Sequence, residues 1–349
     1  MLFLGAGASK PLGIPTMAEF TDAIVKELES QGMPHWGSAV KDTLSRVQAA
    51  GLNSDIESVL SVLQGLTNPQ KALADVGAQA ILFGNKFALS PENNIARIAI
   101  EKIEQAINDR CAGINHKSAI SLYGELWDVL YANVVVPVAP GNLLSVGPEA
   151  LLKIFTTNYD LAVETFMKSR NYGFDDGFHQ DEVGDNTFDG SWVQGRVNLF
   201  KLHGSVNYFV RQDGKVTRSD ATLAGADLFG RAVKERRMIY PTGEKYATRS
   251  PYYEYLGQLR QALAREQVCI IIGYSFRDTP INNAFLDGIQ KNPKLRILIV
   301  GPRADRIRGS MEKDLQRNVL SLNRSFGNST LSGSILEMFR RWPLPWPTP

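Results

Sequence analysis

Four short apolar runs, each closed by glycine or small polar residues, constrain this chain more than any other feature. They are Leu2-Phe3-Leu4 ending at Gly5, Leu151–Thr157, Gln267–Ile272 ending at Gly273, and Leu295–Val300 ending at Gly301. Each is strand-length and apolar at consecutive positions, the pattern of a strand covered on both faces. Helical patterns lie between them. Thr16-x-x-Glu19 is a capping box over Met17, Phe20, Ile24 and Leu28. Further helices are expected from about Asp160 to Arg170, from Ser250-Pro251 to about Glu266, and from about Thr279 to Gln290. Strands alternating with helices predict an α/β fold built on a doubly wound parallel sheet.

The alternation is interrupted once. Ser54-x-x-Glu57 caps a run with Val59, Leu60 and Leu63, Ser90-Pro91 opens one with Ile95, Ile98, Ile103 and Ile107, and a third carries Ile120, Leu126, Trp127 and Leu130. We read these as a helical layer, about 40–147, inserted between sheet-forming parts 1–30 and 150–330 of a single domain spanning 1–349. The Gly/Asp-rich stretch 171–195 reads as a loop, Val197–Val210 as one strand, and Asp213-Gly214 as a hairpin turn. Residues 331–349 read as a C-terminal helix with a Trp/Pro tail, Trp342–Pro347, that packs on a surface here or on a partner.

Composition excludes several classes. With 38 Lys+Arg against 36 Asp+Glu in 349 residues the net charge is +2, so there is no basic footprint for nucleic acid. Arg231–Arg237 and Arg303–Arg308 read as solvated helix faces. No apolar run approaches the ~20 residues of a membrane helix, and no charged segment precedes the first apolar run, so a soluble, cytoplasmic protein is expected. Two cysteines, Cys111 and Cys269, build neither a disulfide framework nor a zinc ribbon and read as core residues. Of four histidines, His35, His116 and His179 sit in polar contexts and read as solvated, whereas His203 closes an apolar strand.

The strand ends carry the chemistry. In Gly5-Ala6-Gly7-Ala8-Ser9 small residues let backbone N–H groups approach a pyrophosphate at a helix N-terminus, although a tight turn without ligand has the same composition. Lys10 stands where a dehydrogenase fingerprint has its third glycine, no acidic residue ends a second strand about 20 positions on, and no Walker A spacing exists. In Thr156-Thr157-Asn158-Tyr159-Asp160 the Asn158 carboxamide offers donor and acceptor to a ribose hydroxyl or a water, and Asp160 suits a helix cap. Lys201-Leu202-His203-Gly204-Ser205, Gly273-Tyr274-Ser275-Phe276-Arg277-Asp278 and Val300-Gly301-Pro302 complete five strand ends expected to share one cleft.

In order and spacing, Gly5-Ala6-Gly7-Ala8-Ser9 with Gly13-Ile14-Pro15-Thr16, Thr157-Asn158-Tyr159-Asp160, Leu202-His203-Gly204-Ser205 and Gly273-Tyr274-Ser275 with Asp278 resemble the Sir2-like family, in its divergent bacterial branch. The resemblance implies a Rossmann-like cleft for NAD+, with Asn158 and His203 matching the family's essential asparagine and histidine. It further implies cleavage of the nicotinamide–ribose bond by an NAD+ hydrolase of antiphage defence, without a metal. On this reading Gly5, Ala6, Gly7 and Ser9 hold the pyrophosphate and Ser275 reaches a phosphate or the adenosine ribose, while Thr16, Thr157, Asp160, Gly273 and Asp278 complete the NAD+ site. Asn158 orients water or ribose and His203 accepts a proton. The deacylase branch carries a four-cysteine zinc module after the His-Gly strand and Asp-Phe-Arg after Gly-Ile-Pro. Here 207–237 holds no cysteine and Thr16-Met17-Ala18 follows, which argues against a protein deacylase or ADP-ribosyltransferase. Such activity needs gating, by homo-oligomer assembly or a partner such as a HerA-type ATPase, an Argonaute-like protein or a second-messenger pathway. A module that senses NAD+ without turnover is the alternative.

Overall fold

The computed structural model describes residues 1–30, 40–41, 44–45, 48–49, 56, 58–60, 94–134, 152–193, 197–211, 213–219, 233–238, 250–311 and 313–341. The caps expected at Ser54 and Ser90, His35 and the Trp/Pro tail lie outside them.

The chain opens with β1 (Leu2–Leu4), a short helix α1 (Ala6–Ser9) and α2 (Met17–Ser30), followed by α3 (Asn94–Ala112) and α4 (His116–Val134). Then come β2 (Lys153–Thr156), α5 (Ala162–Ser169), β3 (Phe174–Asp175), β4 (Phe178–Gln180), β5 (Asn186–Phe188), β6 (Val197–Lys201), β7 (Gly204–Arg211), β8 (Val216–Arg218) and β9 (Val233–Met238). The last third holds α6 (Tyr252–Arg265), β10 (Val268–Ile272), α7 (Thr279–Lys291), β11 (Arg296–Val300), α8 (Ala304–Gly309), α9 (Lys313–Gln316), β12 (Val319–Leu322) and α10 (Leu331–Arg341).

Seven strands form a parallel sheet in the order β12-β11-β10-β1-β2-β6-β3. The chain leaves β1 toward β2, β3 and β6, then crosses back to build β10, β11 and β12 on the other side. The reversal makes the β1/β10 border a topological switch point, where open α/β sheets present a crevice at the carboxyl ends of their strands.

The consecutive apolar residues are explained by cover on both faces. Phe3, Phe155, Phe200, Ile271 and Ile299 point to one core with α6 and α7. Leu2, Leu4, Ile154, Leu199, Ile270, Ile272, Leu298 and Val300 point to the other with α4, α5 and α10. A third core lies next to the strand ends, where Phe20 and Ile24 of α2 and Ile103 and Ile107 of α3 pack with Tyr159 and Val206.

A second, antiparallel sheet, β4-β5-β8-β7-β9, corrects three expectations. Residues 171–195 are not one loop, since β3, β4 and β5 lie within them. Their glycines make the turns, with positive φ at Gly177, Gly184 and Gly190, and strands of two or three residues are too short to reveal a period. Aspartates in this stretch fasten it to β7 and β8: Arg211 Nη1 holds Asp181 at 3.2 Å and Asp185 at 2.8 Å, and Arg218 Nη1 holds Asp176 at 2.5 Å. Val197–Val210 is two strands, divided where Gly204 (φ +83°) turns the chain from the parallel sheet into the antiparallel one. Within Arg231–Arg237, residues from Val233 on form edge strand β9, not a helix face; an edge tolerates a charged run that a central strand would not. In α8, Arg308 also departs from a solvated face, donating from Nε to Val319 O at 2.8 Å.

The Asp213-Gly214 turn joins β7 and β8 as expected, with Gly214 at φ +85°. No helix among the described residues is long and apolar enough to cross a membrane.

Candidate functional site

Sheet register assembles the site. Leu4 pairs with Ile272 on one side and Thr156 on the other, and Thr156 pairs with Lys201, so the segments after β1, β2, β6 and β10 leave the sheet side by side. Four of the five expected strand ends therefore meet directly, and β11 lies one strand beyond.

The glycine turn packs against the turn after β10. A Cβ on Gly5 would sit 2.5 Å from Tyr274 Cα, and one on Gly273 (φ +67°) would sit 2.4 Å from Ala8 N. Gly5 N donates to Ile272 O and Gly7 N to Gly273 O, both at 2.9 Å. These glycines thus serve the close approach of two backbones, and two of the amides expected to face a pyrophosphate are satisfied by carbonyls.

Asn158, only 8% exposed, is fixed from behind. Its Nδ2 donates to Gly5 O at 3.0 Å and to Ser9 Oγ at 2.8 Å, and Ser9 Oγ in turn donates to Asp160 Oδ2 at 2.6 Å. Gly5 O can only accept and the Ser9 proton is committed to Asp160, so the amide nitrogen must face them. Asn158 Oδ1 is then left buried without a hydrogen-bond partner, an unused acceptor beside the strand ends. The Ser9 side chain belongs to this network.

Asp160 combines two duties, with Oδ1 accepting from Ala162 N at 2.9 Å to start α5 while Oδ2 holds Ser9. Burial pushes its carboxyl above the ordinary value, against the opposing pull of the Lys201 charge, the Ser9 hydroxyl and the Ala162 N–H. Burial, with the Asp160 and Glu164 charges nearby, likewise pushes the Tyr123 hydroxyl up.

His203 and Asp278 form a buried pair, Nε2 to Oδ2 at 3.0 Å, each 5% exposed. Asp278 Oδ1 also caps α7, accepting from Ile281 N at 3.0 Å. An ionised carboxylate only accepts, so against it Nε2 carries the proton, and the tautomer this selects for a neutral ring has its lone pair on Nδ1. The loop bearing Asp278 is braced by Asn282, whose Nδ2 donates to Phe276 O at 2.8 Å and whose Oδ1 accepts from Tyr274 OH at 3.2 Å. Phe276 sits at φ +55°, unusual for a non-glycine residue.

Of the other expected contacts, one is taken up in a helix cap. The Thr16 hydroxyl donates to Glu19 Oε2 at 2.9 Å, within a cap where Lys10 and Thr16 hold the Glu19 carboxyl down to about 2. Ser275 is exposed on the loop after Gly273, and Thr157 is half-buried with its N–H on Leu4 O. Lys201 as a part of these networks, and Asn282, Glu164 and Tyr123 altogether, were not expected from the sequence. The one available signal was a lysine closing an otherwise apolar strand.

His179 corrects another expectation. It is half-buried, with Nδ1 3.1 Å from Asp189 and Nε2 3.4 Å from Asp175. Burial opposes its charged form, but the Asp189 hydrogen bond and the two aspartate charges outweigh this and raise its pKa. It lines a cavity of about 580 Å³ with Asp181, Phe188 and Lys215 on the antiparallel sheet, apart from Asn158 and His203. Cys111 and Cys269 are buried, and burial pushes the Cys269 thiol up to about 12. Among the described residues no cluster of His, Cys, Asp and Glu is arranged to hold a metal ion.

Residues 152–321 match the model of a SIR2-like domain. The matched segment runs from just before β2 into β12 and contains Asn158, Asp160, Lys201, His203, Gly273 and Asp278. Similar solved structures include a Sir2 homolog–NAD complex, 15% identical with a TM-score of 0.48, covering 98% of this chain and 89% of that one. Another is a Sir2–p53 peptide–NAD+ structure, 11% identical with a TM-score of 0.43, covering 98% of this chain and 93% of the other. No curated protein sequence matches the chain significantly.

Proposed function

We propose that this protein is an NAD+ glycohydrolase that cleaves the nicotinamide–ribose bond. The observation that carries the reading is the pairing, at the carboxyl ends of neighbouring strands, of an oriented and unpartnered acceptor, Asn158 Oδ1, with a histidine set by a buried carboxylate, His203–Asp278. An orphaned buried acceptor suits a ribose hydroxyl or a water as its missing donor. The match of residues 152–321 to a SIR2-like domain supports NAD+ as the molecule concerned.

The chemistry asks little of the protein beyond positioning. As the C1′–N bond breaks, its electron pair leaves with nicotinamide, which departs neutral, and positive charge develops on the ribose. The water oxygen bonds to C1′ and its proton passes to a base, giving nicotinamide, ADP-ribose and a proton. Asn158 Oδ1 accepts a hydrogen bond from the ribose or the water and so fixes the attack, and His203 Nδ1 receives the proton. Asp278 stabilises the imidazolium that forms. Depletion of NAD+ in infected bacterial cells, gated by self-assembly or by a partner protein, is the role this activity fits, and it places the protein in the cytoplasm with its substrate.

The test is to incubate the protein with NAD+ and follow nicotinamide and ADP-ribose by chromatography, beside Asn158→Ala and His203→Ala. Release by the native chain and by neither variant is expected. NAD+ binding without release, at high protein concentration and with assembled protein, would overturn the hydrolase in favour of a sensor.

A further inference from the structure

Lys201 is 0% exposed, yet it is a lysine at the end of a core strand, two residues before His203. An ammonium has three protons, and three close acceptors surround this one: Asp160 O at 2.5 Å, Glu164 Oε1 at 2.8 Å and Ser205 Oγ at 2.8 Å. Tyr159 O lies further out, at 3.4 Å from both Nζ and the Ser205 hydroxyl. The acceptors belong to three different pieces of the site. Asp160 O is main chain of the loop that carries Asn158, Glu164 is in the first turn of α5, and Ser205 is the second residue of β7, directly after the His203 turn. Two backbone bonds join the same segments, Leu202 N to Thr156 O at 2.8 Å and Val206 N to Tyr159 O at 3.1 Å.

A structural ion pair alone would not need this arrangement. Burying an ammonium is costly, and an apolar pair in place of Lys201 and Glu164 would serve packing as well or better. What an apolar pair cannot do is hold Asp160 O and Ser205 Oγ at once. We propose that Lys201 is a positioning residue that locks the Asn158 loop to the His203 turn, so that the two groups act on one substrate; this rests on the hydrolase reading for its kinetic consequence. Asp160 transmits the lock, because its main chain is held by Lys201 while its carboxylate holds Ser9, which orients the Asn158 amide.

The experiment compares wild type with Lys201→Met/Glu164→Leu, which removes both buried charges together, and with Ser205→Ala, which keeps the ion pair but cuts its link to the His203 turn. The expected result is a folded double variant whose kcat for NAD+ falls about tenfold or more, with KM within about threefold. Ser205→Ala is expected to lower kcat by several fold. Wild-type kcat in a folded double variant would overturn the proposal, and if that variant does not fold, unchanged kcat in Ser205→Ala would do so. Hydrogen exchange supplies a reading independent of turnover: residues 156–162 and 202–206 should lose protection together in either variant, while 268–285 stays protected. If the wild-type protein proves inactive on NAD+, the hydrolase reading fails, and exchange alone decides the lock. Independent loss, or no loss, of protection in the two segments would refute it.

Discussion

The sharpest perturbation of the site is Asp278→Asn. Asp278 uses its two oxygens for different partners, Oδ1 for Ile281 N at the start of α7 and Oδ2 for His203 Nε2. A carboxylate accepts at both ends, whereas a carboxamide accepts at one and donates at the other. Asparagine therefore keeps the shape but must give up one partner. If it keeps the cap, an amide N–H faces His203 Nε2, and the ring can pair with it only by moving its proton to Nδ1, which destroys the base. If it keeps His203, the cap is lost at a cost of about 0.5–2 kcal/mol of stability.

Asparagine is a strong cap, so the first outcome is expected. The His203–Asp278 bond joins a buried carboxylate to a ring that becomes charged during the reaction, and such bonds contribute about 1.5–3 kcal/mol. At about 1.4 kcal/mol per tenfold, kcat should fall roughly 10- to 150-fold, with little change in melting temperature. Asp278→Ser is the companion: a serine caps helices well but is too short to replace the second oxygen, so it should match the asparagine variant in both readings. The assay is nicotinamide release with a thermal melt on the same preparation. Turnover within twofold of wild type in a variant that melts normally would refute the claim that Asp278 sets the His203 tautomer.

Two further outcomes follow from the geometry. Gly273→Ala places a Cβ 2.4 Å from Ala8 N at a φ of +67°, and because the obstacle is backbone it should destabilise the protein by about 2–5 kcal/mol in denaturant unfolding; a loss below 1 kcal/mol would mean the two turns separate easily. His179, flanked by Asp175 and Asp189, should titrate by NMR above its ordinary 6.5, with Asp189→Asn bringing it down. A group with a raised folded-state pKa contributes stability that is present below 6.5 and lost as pH rises through the folded value, so Asp189→Asn should weaken that dependence.

The central strands β1, β2, β10 and β11 were legible because they are apolar at consecutive positions and end in glycine or small polar residues, a pattern that is local in the chain, whereas the edge strands β3 and β12 were not. Asn158 and His203 were legible for the same reason: each closes such a strand. What escaped depends on distance. Ser9 and Asp160 meet across 151 residues, and the composition of the glycine turn says nothing about whether its serine faces a ligand or a carboxylate. Lys201 escaped because a buried charge is recognised by its acceptors, which come from three separate segments. In the antiparallel sheet the β7–β8 turn was legible from Asp213-Gly214, but β4 and β5 escaped because three-residue strands set among turn residues show no period, and β9 because a charged edge strand and a charged helix face share one composition.

The buried charges beneath the site lead to a last prediction. Two carboxylates, Asp160 and Glu164, face one ammonium, Lys201, with the Tyr123 hydroxyl and the Cys111 thiol nearby. The ammonium bonds the Glu164 carboxylate and the Asp160 backbone oxygen, and burial raises the Asp160 carboxyl above 3.8 against the pull of the Lys201 charge. The folded protein then binds a proton there more tightly than the unfolded chain, so this group's contribution to stability declines as pH rises from about 3.8 through the folded value. Asp160→Asn removes the titration, so the difference in unfolding free energy between variant and wild type should change in the variant's favour over that window. The same substitution puts an amide donor against Ser9, whose hydroxyl proton then loses its carboxylate acceptor, and the chain that orients Asn158 is no longer enforced. Nicotinamide release should therefore fall while neutral-pH stability is held or improved. A difference that does not vary with pH would assign the titration to another group, and full turnover would show that Asn158 keeps its orientation without the Ser9–Asp160 bond.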